Sequence, residues 1–82
     1  MDIEKKIKYQ ARRGLLELDL LLSDFVLQEC SKLNEGEKKI LLDFLTMDDM
    51  VLWDILQKKQ QPDEEYKKII GRIEVSNRKI KL

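Results

Sequence analysis

Arg12-Arg13-Gly14-Leu15-Leu16-Glu17-Leu18-Asp19 separates two helical patterns in a chain of 82 residues, and its reading decides how the rest divides. Tyr9 to Arg13 reads as the last turn of a first helix, Gly14 as the residue just past its end, and Leu15 as the start of a second helix. Glycine is favoured after a helix because it enters the left-handed conformation without a Cβ clash. The charges have a local reading as well: Arg12 and Arg13 suit a helix C-terminus, while Glu17 and Asp19 suit the first turns of the next helix. Caps of this kind are common, so the residues alone leave the corner open between a junction and a functional site.

Working outward, the first helix covers roughly residues 2 to 12, with Ile3, Ile7 and Ala11 as a thin apolar stripe. The second runs roughly from 15 to 31; Leu15, Leu18, Leu22, Phe25 and Val26 make one face. Leu16, Leu20, Leu21 and Leu27 spread apolar character around that cylinder, which predicts a central helix buried on several sides. A third starts at Asn34, where Glu37 completes a capping box, and carries Ile40, Leu41, Phe44 and Leu45 inward. The fourth, roughly 48 to 59, presents Leu52, Trp53, Ile55 and Leu56; Asp48 or Thr46 is expected to cap it and Pro62 to terminate it. Trp53 is read as core, because large aromatics supply much of the apolar burial in small domains. The last helix begins at Asp63-Glu64-Glu65, places Tyr66, Ile69, Ile70 and Ile73 on one face, and ends in the basic residues Arg78, Lys79 and Lys81. No period-two alternation is sustained, and the connections are short. The expected fold is all-α: a compact five-helix antiparallel bundle forming a single small domain over residues 1–82.

Composition removes several classes of function. Sixteen Lys and Arg balance sixteen Asp and Glu, so no net charge attracts nucleic acid or anionic lipid from a distance. There is no histidine, which excludes His-based triads and His-containing metal sites. The three glycines stand singly, so no phosphate-cradling loop is present, and no catalytic or metal-binding residue is assigned. Asp48-Asp49 is read as a helix start in preference to an acid/base pair. Cys30, the single cysteine, is expected to be a small buried hydrophobe in a reducing compartment. No apolar run approaches the roughly 20 residues of a membrane span, and the charged N-terminal stretch is unlike a signal peptide, so the expectation is a cytoplasmic protein without membrane insertion.

The pattern Arg13-Gly14-x-x-Glu17, extended as Ala11-Arg12-Arg13-Gly14-x-x-Glu17-Leu18-Asp19, resembles the signature of the SdhE-type FAD assembly factors. A second block in the same order and spacing supports the resemblance: Leu33, Glu37-Lys38, Phe44-Leu45, Asp48-Asp49, Leu52-Trp53, Leu56 and Pro62. The chain departs from that pattern at Leu16, where a polar residue is common, and at Met50, where proline often follows the acidic pair.

The resemblance implies an assembly factor that is not itself an enzyme and holds no cofactor stably. Its implied partner is the flavoprotein subunit of succinate dehydrogenase, with that of fumarate reductase as a second client, and its implied effect is to promote covalent attachment of FAD to a partner histidine. The motif places partner binding at Arg13, Gly14 and Glu17, with Arg12, Leu15, Leu16 and Asp19 in support. In this reading Arg13 makes a charge-assisted contact to the partner, Glu17 accepts from a partner donor, and Gly14 permits close backbone approach. The rival readings are a small helical DNA-binding regulator, which would need a recognition helix with a strongly basic face, and a generic helical adaptor.

Overall fold

Short-range chemistry starts the helices where the sequence suggests. Asp2 accepts from the Glu4 N–H at 3.1 Å and opens α1 (Ile3–Gln10). Asn34 accepts from the Glu37 N–H at 2.8 Å while Glu37 accepts from the Asn34 N–H at 3.0 Å, so the predicted capping box opens α3 (Glu35–Phe44). Between them lies α2 (Leu16–Glu29), continued by a 3₁₀ turn at Cys30–Lys32. α4 (Asp49–Leu56) follows, and a second 3₁₀ turn at Glu64–Tyr66 leads into α5 (Lys67–Asn77). The computed structural model describes residues 2–77, among which there is no strand. Arg78, Lys79 and Lys81 lie outside the described residues.

Burial explains why these helices stay together. One face of α2 buries Leu18, Leu22, Phe25 and Val26 against Ile7 and Ala11, the inward residues of α3 and α4, and Ile69, Ile70 and Ile73 of α5. Each such side chain contributes about 1.5–3 kcal/mol on leaving water, offset by the conformational entropy of ordering the chain. Cys30 is buried in the same cluster, and burial is the main cause that raises its thiol pKa. Ion pairs fasten the perimeter: Lys38 reaches Glu4 of α1 at 3.6 Å, and Glu37 reaches Arg72 of α5 at 3.4 Å.

Four sequence expectations are corrected here. The second helix is not buried all round: Leu21 is inside, but Leu16, Leu20 and Leu27 are exposed on the side away from the core. Trp53 is half-buried and packs against the core from its edge, because Leu52 and Ile55 occupy the inward positions of α4. Asp48 is the N-cap residue of α4 by backbone but makes no side-chain cap, and the Thr46 hydroxyl donates to the Asp43 carbonyl instead. Finally, α4 ends well before Pro62. The Lys59 N–H bonds the Asp54 carbonyl and the Lys58 N–H bonds that of Ile55, a Schellman closure that puts Lys58 at φ 62°.

Candidate functional site

The corner between α1 and α2 is held by one side chain that runs back into the protein. α1 closes at Ala11, whose N–H bonds the Ile7 carbonyl, and Arg12 caps back to Tyr9. From there the Arg13 side chain turns inward and is 10% exposed. Its Nη1 donates to the Met47 carbonyl at 2.9 Å and to Asp49 Oδ1 at 3.2 Å, and its Nη2 donates to the Leu45 carbonyl. Leu45 is the C-cap of α3 and Asp49 the first residue of α4. The guanidinium therefore satisfies carbonyls at the C-terminus of one helix, where a cation is favoured, while pairing with a carboxylate at the N-terminus of the next. Arg13 Nε is buried without a partner.

Two carboxylates complete the corner. Asp49 Oδ2 accepts from the Leu15 N–H at 3.3 Å, so a residue of α4 serves the start of α2, whose own N-cap position, Leu15, has no side-chain acceptor. Asp19 reaches back six residues and accepts from the Arg13 N–H at 2.7 Å, with Arg12 Nε 3.6 Å away. Both anions sit where the partial positive charge of a helix N-terminus favours them.

The predicted site residues thus divide in two. Arg13, Asp19 and half-buried Leu15 face inward and build the corner. Gly14, Glu17 and Leu16 are exposed, Leu16 by 68%, and Arg12 projects from the rim. The Glu17 carboxylate has no hydrogen bond or ion pair among the described residues. Gly14 corrects the sequence reading: no glycine has a positive φ, so left-handed backbone is not the reason for glycine here. A Cβ at Gly14 would lie 3.5 Å from Asp49 Oδ2, an ordinary contact, so the fold itself accepts alanine.

Asp49 is the residue the sequence reading missed as part of this site. The sequence marks it as a helix start, and it is one, but its partners lie 34 and 36 residues away, and no local pattern announces them. Among the described residues, no group of three or more His, Cys, Asp and Glu could hold a metal ion, and no helix is long and apolar enough to cross a membrane.

The chain as a whole is similar to known proteins. The family model described as flavinator of succinate dehydrogenase matches residues 5–77. A protein of Francisella tularensis named FAD assembly factor SdhE is 41% identical over 69 residues, covering 83% of this chain and 72% of the relative. Its namesake in Coxiella burnetii is 41% identical over 71 residues, covering 85% and 87%. A third of that name, from Legionella pneumophila strain Paris, is 34% identical over 70 residues, covering 85% and 89%. No solved structure matches the chain.

Proposed function

This chain belongs to the family described as flavinator of succinate dehydrogenase, and on that premise we propose that it binds the flavoprotein subunit of that enzyme and promotes covalent attachment of FAD to it. The flavoprotein of fumarate reductase is the second client. In this reading the factor performs no turnover of its own, and the histidine that accepts the flavin belongs to the client, with which the lack of histidine in this chain agrees. FAD is the group being attached and not a resident cofactor of this protein, which acts in the bacterial cytoplasm.

The observation that carries this reading is the division of the corner. Gly14, Leu16 and Glu17 stand outward on a frame that Arg13 and Asp49 hold in place. In this proposal Gly14 lets the client backbone approach, Leu16 supplies apolar contact, and the unpaired Glu17 carboxylate accepts from a client donor. Arg13 acts as a positioning residue, because at least three of its donor contacts are made within the chain. The help given is conformational. A factor that prefers the attachment-competent client by about 3 kcal/mol shifts its population more than a hundredfold.

Gly14→Ala and Glu17→Ala test the reading, because neither removes a contact of the fold. Both variants are expected to keep the native circular dichroism spectrum and urea midpoint, yet to lose capture of the unflavinylated flavoprotein and to leave it without covalent flavin by in-gel fluorescence. Normal capture by both sinks the site; covalent flavin at the normal level in cells lacking the factor sinks the function.

A further inference from the structure

The outward face of α1 is a surface that the corner does not account for. Ile7 and Ala11 are buried, so the opposite side of this helix carries Lys5, Lys6, Lys8 and Tyr9 into solvent, with Arg12 just beyond its end. Tyr9 is 78% exposed and forms a ridge between two open grooves. One runs between α1 and α2 over buried Ala11 and Val26, edged by Lys8, Arg12 and Leu27, the last 77% exposed. The other runs between α1 and α3, rimmed by Lys5 and Lys6. Neither groove has a carboxylate in its lining. Among the described residues Lys5, Lys6 and Lys8 form no ion pair, and Arg12 meets Asp19 only through Nε. In a chain of zero net charge, four cations and the two most exposed large apolar side chains among the described residues are gathered on one side.

We propose that this face docks an acidic segment of the client flavoprotein, its carboxylates meeting the lysines and Arg12 and an apolar side chain lying against Tyr9 and Leu27. The inference rests on the client reading above and extends the contact from the corner onto α1. Charge complementarity selects the partner. An anionic membrane is disfavoured because the apolar side of α1, which would have to enter the lipid, is committed to the core. Duplex nucleic acid is disfavoured because a handful of cations on a neutral chain releases few counterions, and the apolar ridge between the grooves has no duplex counterpart. A protein segment uses both features, since exposed charges steer association while an aromatic anchor slows release.

The test titrates the full chain into the unflavinylated flavoprotein subunit at several salt concentrations. For the triple variant K5E/K6E/K8E, with its helix content confirmed by circular dichroism, the dissociation constant is expected to rise about tenfold or more at low salt and its salt dependence to flatten. Tyr9→Ala is expected to weaken binding about three- to tenfold with the salt slope kept. Unchanged affinity and slope in the triple variant overturn the inference. So does loss of retention on phosphatidylglycerol vesicles or duplex DNA with the client titration intact. If Gly14→Ala and Glu17→Ala abolish binding while the triple variant does not, the client reading stands and the α1 surface alone falls; if the native chain does not bind the flavoprotein, both fall.

Discussion

Two junctions in this molecule solve the same problem by different means. At Asn34 and Glu37 a helix start is closed by residues three apart, Asn34 exposed and Glu37 partly covered, and the pair is then tied across to α5 through Arg72. At Arg13 and Asp49 a helix end and two helix starts are closed by residues 36 apart, with the guanidinium nearly out of water. The first can form before the rest of the chain folds. The second cannot, since α3 must end and α4 begin beside the corner before Arg13 has anything to donate to. A local cap therefore contributes a modest stability of its own, whereas the buried clamp makes the outward residues next to it depend on the whole fold.

The largest effect expected is at the clamp. Arg13→Ala leaves the Leu45 and Met47 carbonyls and Asp49 short of a donor, and is expected to cost about 2–4 kcal/mol in urea denaturation, with Arg13→Lys recovering only part because an ammonium cannot fork between those acceptors. A cost below about 1 kcal/mol would break the comparison, since the clamp would then be no stronger than a cap. Asn34→Ala is expected to cost about 1 kcal/mol, and Gly at that position only a few tenths.

A third junction sharpens the contrast by pH. Tyr66 packs its ring 5.5 Å from that of Phe44 and donates its hydroxyl to Asp43, 23 residues away. The bond to that carboxylate, and then burial, raise the phenol pKa. A raised folded pKa favours the protonated form, so this stability is full below about pH 10 and is lost as pH rises through the folded value. Tyr66→Phe is expected to cost about 1 kcal/mol at neutral pH and to make the loss of stability above pH ~10 shallower than in the native chain. Parallel alkaline profiles would show that the Asp43 contact does not form in solution. The smallest effect is a gain: Lys58 holds a left-handed backbone in the closure of α4, and Lys58→Gly is expected to stabilise by about 0.5–1 kcal/mol in the same denaturation measurement.

What the chain determines locally is read without the fold. The 3.6-residue spacing of Ile69, Ile70 and Ile73, the Asn34-x-x-Glu37 box and the motif around Gly14 mark the last helix, the third helix and the corner, because each depends only on neighbours within one or two turns. The same spacing marks the face of Leu18, Leu22, Phe25 and Val26 but cannot say which of the surrounding leucines are also covered. Leu21 and Leu20 are neighbours in the sequence, yet one is buried and the other exposed. That choice depends on where α1, α4 and α5 come to lie against α2. Nor does any local rule say that Arg13 points inward while Glu17 points out. Arg13 turns in because of acceptors at residues 45, 47 and 49, which only tertiary packing brings within hydrogen-bond reach, and Glu17 has no such partner among the described residues.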